Sequence, residues 1–371
     1  MRCRIALGSS YLSEFVLSRR RLSIKDRPTS IGICTRYFSS EATRIALRVA
    51  DMAEQAGESV SLMAHNSTFR PQDRRWDDVV FLPHRYSMSK WLSNRRCVIW
   101  TAMPPLDHLQ FVKQKGIRSA LFLAWHEISP SELLHLSLFD DIFCMNADAA
   151  ETLLGLGISN TVVCGWDNGR PFFTKRPQAG SVSVLLPLWD GNARRTELTA
   201  VEVLRRAVLR QRDVTATVAI TASTVSGPGY AAIRRACRES GGKIKLVRNV
   251  SELQTHFLLA THDLVLCPYH FDNANLVATA AITAGSPVVT FLMPTNRCVL
   301  SESNSISDPV RYCRTPTGAP MASPCYKNLD DALYFAVSDT AYVRNLCESI
   351  DQGRLQRREN FHDNVSGLWR P

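Results

Sequence analysis

The chain has 371 residues, 45% of them hydrophobic and 21% charged, with a formal net charge of +10. That balance suits a folded soluble chain rather than a disordered one, and the length is enough for two domains that each bury a core. No apolar run reaches the roughly 18–20 residues of a membrane-crossing helix. Eleven cysteines stand singly, with no CxxC pair, zinc spacing or HExxH, which excludes a disulfide or zinc framework as the sequence reads. Cys34, Cys144, Cys164 and Cys267 fall inside apolar runs, as small buried hydrophobes do in a reducing compartment.

Residues 1–28 carry seven Lys and Arg against two acids and end at Pro28. Such a segment suits a transit peptide, a nucleic-acid arm or a solvated extension. From Ile31 the pattern changes. Residues 31–35 read as a buried strand, apolar residues at 42, 45, 49, 52 and 56 have helical spacing, Ser40 and Gly57 punctuate that helix, and 59–63 is again strand-like. Further strands are expected at 78–82, 97–100, 120–124, 141–145 and 161–164. Their apolar runs are continuous rather than alternating, which predicts a parallel sheet covered on both faces.

A Gly, Pro and Arg-rich stretch at 165–180 reads as a linker, after which the pattern restarts. Strands are expected at 182–186, 214–220, 244–247, 264–267 and 287–291, and helices at 195–211, 229–239, 251–260 and 274–284. A polar helix pair is expected near 328–362. The reading divides the chain into an extension (1–28), a first doubly wound domain (29–168), a second (169–350) and a C-terminal helix or tail (351–371). Ligands are expected beyond the carboxyl ends of the strands.

Three segments of the second half look like parts of one anion site. Strand 182–186 runs into Arg194-Arg195 near a helix start, where guanidinium groups and backbone N–H groups suit a diphosphate. The same spacing also suits an exposed basic helix end. Strand 214–220 runs into a loop ending Gly227-Pro228-Gly229. The third segment runs from Asp263 through Pro268, Asp272-Asn273-Ala-Asn275 and a small-residue helix to Gly285-Ser-Pro287-Val-Val. In the first half, Trp125-His126-Glu127 follows strand 120–124, and Trp100-Thr-Ala-Met-Pro104-Pro105 ends another strand. Trp100 suits an acceptor wall, although the core is the default place for a Trp.

The third segment resembles the donor-sugar site of retaining, GT-B-fold glycosyltransferases, particularly glycosyltransferase family 4. The family has a strand ending in Pro, an acidic residue, a small-residue turn opening a helix, a second acid eight positions on, and Gly-Thr-Pro-Val-Val. The resemblance runs in order from residue 31 onward, through 139–151, the crossing at Val163-Cys-Gly-Trp-Asp167, Arg194 or Arg195 and Gly227 to Gly229. It implies a GT-B fold of two facing Rossmann-like domains. It assigns Asp272 to the donor sugar, Asn273 and Asn275 to a helix start facing it, Arg194 and Arg195 to the leaving diphosphate, and His126 to the reacting sugar. Ala280 stands where the family has its second, ribose-holding acid, which leaves Glu302 as a candidate for the ribose. Tyr37-Phe-Ser-Ser-Glu41 replaces the family's N-terminal glycine-rich loop.

The expected activity is transfer of a sugar from a UDP- or GDP-sugar, with no metal and no cofactor beyond that co-substrate, and with retention of configuration. Two acceptors stay open. The basic excess, concentrated at 17–27, 70–75, 94–96, 194–212 and 354–358, suits DNA with hydroxymethylated bases, as modified by phage-type enzymes sharing the GT-B architecture. It equally suits a lipid-linked glycan at an anionic membrane surface. A cytoplasmic protein, peripheral to membrane or bound to nucleic acid, is implied by either. Ala280 also leaves a different class open, a degenerate GT-B protein that binds without turnover.

Overall fold

In the computed structural model the continuous apolar runs are strands whose alternate residues enter two different cores. The structure describes residues 31–36, 40–65, 91–93, 95–125, 128–167, 173, 181–188, 197–220, 228–250, 252–268, 276–293, 300, 305–309, 312–318, 320–322, 326–350 and 354–369. The basic extension at 1–28 and the strand expected at 78–82 lie outside them.

The first unit contains β1 (Ile31–Arg36), α1 (Ser40–Gln55), β2 (Val60–His65), β3 (Cys97–Trp100), α2 (Leu106–Gln114), β4 (Arg118–Phe122), a 3₁₀ segment (Glu132–Leu138), β5 (Asp141–Cys144), α3 (Ala147–Gly155) and β6 (Thr161–Val163). All its strands are parallel, in the order β2-β1-β3-β4-β5-β6. The second contains β7 (Val182–Leu188), α4 (Glu197–Arg210), β8 (Val214–Ile220), α5 (Pro228–Glu239), β9 (Ile244–Arg248), α6 (Glu252–Thr261), β10 (Leu264–Cys267), α7 (Leu276–Thr283), β11 (Val288–Leu292) and β12 (Ser305–Pro309). It too is parallel, in the order β12-β11-β10-β7-β8-β9. A short antiparallel hairpin, β13 (Tyr312–Arg314) and β14 (Pro320–Ala322), comes next, and then α8 (Tyr326–Ser338), α9 (Thr340–Ser349) and α10 (Arg354–Ser366).

Two-faced burial explains the run composition. In the first sheet Val98, Leu121 and Ile142 face one cluster, while Ile99, Phe122 and Phe143 face the other, where Phe122 and Phe143 stack at 4.9 Å. In the second, Val184, Leu266 and Val289 point to one side and Leu185, Val265 and Val288 to the other. A strand with no solvent face has no reason to alternate.

Each sheet is held in register by the same device. The second residue of β4, Ser119, donates from its backbone N–H and its hydroxyl to Asp140 Oδ2, at 2.7 and 3.0 Å. The second residue of β7, Ser183, does the same to Asp263 Oδ2, at 2.9 and 2.7 Å. Each aspartate immediately precedes the neighbouring strand, β5 or β10.

Three features depart from the sequence-based expectation. β12 carries Ile306 among Ser305, Ser307 and Asp308, because an edge strand needs little apolar surface. The helix pair expected near 328–362 is three helices, because Asp339 Oδ1 accepts from Tyr342 N at 2.9 Å and caps a new helix there. The C-terminal helix returns to the first unit. Phe361, Val365, Leu368 and Trp369 join Ile31, Ile45 and Ile99 in one cluster.

Candidate functional site at the strand ends

In a doubly wound sheet, helices leave neighbouring strands toward opposite faces where the strand order reverses, which opens a crevice at the carboxyl ends. In the first sheet that point lies between β1 and β3, and in the second between β7 and β10. β7 runs from Val182 to Leu188 and into the segment bearing Arg194 and Arg195, while β10 ends at Cys267 and Pro268 before Asp272, Asn273 and Asn275. The strands that precede the two segments expected to form an anion site are thus hydrogen-bonded neighbours, pairing Leu264 with Val184 and Val265 with Leu185.

Of the residues singled out from the sequence, His126, Arg194, Arg195, Gly227, Asp272, Asn273, Asn275 and Glu302 lie outside the described residues. Gly229 is the second residue of α5. The helix that succeeds the Asp272 segment, α7, is described along its whole length. All eight of its residues are buried, Ala280 to 2% exposure within the cluster of Leu185, Val265, Cys267 and Val288. The helix closes with a Schellman cap. Gly285, at φ +87°, donates to Ile282 O, and Ser286 N donates to Ala281 O at 2.9 Å. The Ser286 hydroxyl donates to Leu259 O and His262 O, and Pro287 O then accepts from Val265 N as the chain enters β11. The Gly-Ser-Pro-Val-Val run is the stop of one buried helix and the start of the next buried strand.

The carboxyl side of the first sheet meets the hairpin that follows β12 in direct contacts. Trp125, just past the end of β4 and 1% exposed, donates its indole N–H to Thr317 O in the hairpin that follows β12 at 2.9 Å. Arg314 of the same hairpin grips Asp148 of α3 through Nη2 to Oδ1 at 2.7 Å and Nη1 to Oδ2 at 3.3 Å. Asn146 caps α3, its side chain accepting from Ala149 N at 2.8 Å.

On the other side, α1 and α6 approach. Burial and the neighbouring Arg44 cation drive the His256 pKa down to about 4, so the imidazole is neutral at pH 7. The crossing out of the first unit is pinned by Arg48, which donates to Asp167 Oδ2 at 2.6 Å and to Asp167 O at 3.2 Å. Beside it, Trp166 packs edge-on against Phe361 of the returning helix, 5.3 Å between centroids.

Trp100 is a core residue, 1% exposed, and not a wall of the cleft. The strand cysteines are inert. Burial holds the thiols of Cys97 and Cys144 up near about 12, and raises that of Cys34 as well, so none is a nucleophile at neutral pH. Trp125, Asp148, Arg314 and Arg48 are not marked by spacing, because each gains its role from a partner more than a hundred residues away.

No protein-family model matches the chain, and a search of curated proteins returns no match. Solved structures do match over nearly its full length. The apo lipopolysaccharide outer core galactosyltransferase WaaB shares 12% identity at a TM-score of 0.62, covering 91% of this chain and 99% of its own. HepE from Anabaena, solved with UDP and glucose, shares 10% at 0.67, covering 92% and 97%. Sucrose-phosphate synthase from Thermosynechococcus elongatus shares 12% at 0.63, covering 92% and 96%. The fold is GT-B, with two six-stranded parallel Rossmann-like sheets.

Proposed function

We propose that the chain is a glycosyltransferase that takes its sugar from a nucleotide-sugar donor seated on the second unit. The observation that carries this reading is the strand order β10-β7 at the reversal point, since these two strands lead into the Arg194-Arg195 and Asp272–Asn275 segments. Arg194 and Arg195 neutralise the departing diphosphate, stabilising the charge that builds as the glycosidic bond breaks. Asp272, with Asn273 and Asn275, orients the donor sugar, and His126 helps position the donor or the acceptor. Gly227 and Gly229 let the backbone come close to the nucleotide, and Glu302 holds the ribose. UDP is the favoured nucleotide, because HepE was solved with UDP and with UDP-glucose. Retention of configuration rests on the family resemblance, and independence from a metal on Arg194 and Arg195, which take a metal's place at the diphosphate.

Ala280 is weak ground for a degenerate, non-catalytic protein. Its side chain packs in the core, where a carboxylate would be stripped of water, so its loss there does not empty the cleft. A glycan acceptor is favoured over DNA because four described arginines of the basic segments are paired with acids of this chain. Arg205 and Arg206 pair with Glu202, Arg210 with Asp330, and Arg96 with Glu58. Arg95 lies over the Trp91 ring at 4.7 Å.

The test is a panel of UDP- and GDP-sugars, read by thermal stabilisation and by slow donor hydrolysis. The expected result is stabilisation by one nucleotide class that is lost in Asp272→Ala and in the Arg194→Ala, Arg195→Ala pair. No response to any donor overturns the enzyme reading. Duplex DNA binding across a salt series decides the acceptor, since phosphate tracking adds about 0.9 to the log–log slope per contact and the expected slope is near zero.

A further inference from the structure

We propose that the β13–β14 hairpin is a latch between the two units and that Trp125 is the positioning residue on which it closes; the proposal rests on the proposed activity only in its catalytic consequence. The hairpin forms a sheet of two strands, separate from both large sheets. A lone two-stranded ribbon is at best marginally stable in water, so its order depends on what it docks against. Contacts of Arg314, Thr317 and Gly318 reach the first unit. At the turn, Gly318 has φ +85°, and a Cβ added there would lie 2.7 Å from Thr152 Cγ2 and 3.3 Å from Trp125 Cζ2, so the backbone itself is wedged between α3 and the indole. The turn is closed locally by Gly318 N donating to Thr315 O at 2.8 Å, which leaves Thr317 O turned to the Trp125 N–H.

Arg314 locks the outside. Besides its fork on Asp148, its Nη1 donates to Thr152 Oγ1 at 3.1 Å and to Gly318 O at 2.8 Å, so one guanidinium ties the hairpin strand, its turn and the opposite helix together. Planar bidentate geometry of this kind needs both partners in place, and a shift of an ångström between the units breaks it. Trp125 is the inner contact. It precedes His126 in the chain, its ring is fixed in the core of the first unit, and its single donor is committed to the hairpin. Opening of the cleft therefore costs a buried N–H its partner, while closing it sets the end of β4 against the second unit.

The experiment uses the full chain and three variants: Trp125→Phe, which keeps the ring and removes the donor, the half-exposed Arg314→Glu, and Arg314→Glu combined with Asp148→Arg. Hydrogen exchange over 312–322 and the small-angle scattering radius are measured without substrate. Initial rates are then measured with the nucleotide sugar that the panel selects. Arg314→Glu and Trp125→Phe are expected to speed exchange in the hairpin by about tenfold or more and to enlarge the radius. Turnover is expected to fall about tenfold, with KM for the donor within about twofold, because donor contacts on the second unit are untouched. The charge-reversed pair restores both. Unchanged exchange in both single variants, or a rate loss that the reversed pair does not recover, overturns the latch. If no nucleotide sugar turns over, the activity reading fails while exchange and scattering still decide the latch.

Discussion

Gly32 and His256 show how single side chains are set by neighbours far along the chain. Gly32 lies in β1, where a Cβ would fall 2.5 Å from Trp91 Cη2, and Trp91 Nε1 in turn donates to Ser61 Oγ at 3.1 Å. Gly32→Ala is therefore expected to destabilise by about 1–3 kcal/mol through overpacking, read as a drop in denaturant midpoint without a change in slope. His256 titrates near 4 when folded and near its ordinary 6.5 when unfolded. The unfolded chain then binds a proton between those values while the folded chain does not, so its contribution is full above about 6.5 and is lost as pH falls toward about 4. His256→Asn is expected to flatten the acid side of the stability curve in that window by about 1–3 kcal/mol, measured by urea melts at stepped pH. Neither residue is legible as special in the sequence, since a glycine in a strand and a histidine on a helix have many bland explanations.

At the scale of elements, the repeated Ser–Asp clip sets strand register where the apolar runs leave it undetermined. A strand apolar on both faces can slip without exposing a polar residue, so register needs a polar lock. Asp140→Ala and Asp263→Ala each leave a strand-start N–H and a hydroxyl without their acceptor. Each is expected to cost about 1–3 kcal/mol, and Asp263→Ala is the one expected to weaken nucleotide binding as well, because it locks β10 beside β7. Calorimetric melts of both variants with and without UDP separate the two effects. The central strands and their helices are readable from the sequence because burial on both faces leaves a dense apolar signature. β12 and the hairpin are not, because an edge strand and a docked ribbon need little of it. α4 is readable as a basic helix, yet its charges close on Glu202 and Asp330, and Lys243 Nζ donates to Val208 O and Gln211 O at its carboxyl end, both at 2.8 Å. Residue counts alone place all of that charge at the disposal of a polyanion; the pairing engages part of it.

For the whole molecule, the crossings between units are as organised as the sheets. The outgoing crossing is fixed by Arg48 on Asp167, which is 5% exposed, and the returning helix is fixed by Phe361 against Trp166. Asp167→Ala leaves the largely buried Arg48 cation without its carboxylate and is expected to cost about 3–5 kcal/mol, read from urea melts. Phe361→Ala, in the last helix, is expected to loosen the first unit. Hydrogen exchange should rise in β1 and β3 before β7 and β10, since Phe361 packs with Ile31 and Ile99. Uniform loosening of both sheets would contradict that assignment.

The amino-acid sequence by itself determined the fold class, the two-unit organisation and the order of the segments that resemble a donor site, because these depend on local periodicity, punctuation and spacing. Tertiary structure alone decided that Trp100 and Ala280 belong to cores, that β7 and β10 are neighbours, and that a small hairpin bridges the units through Trp125 and Asp148. Those outcomes depend on pairings between residues far apart in the chain, and the free energy of a buried hydrogen bond or ion pair belongs to both partners, so neither one's local sequence reveals it.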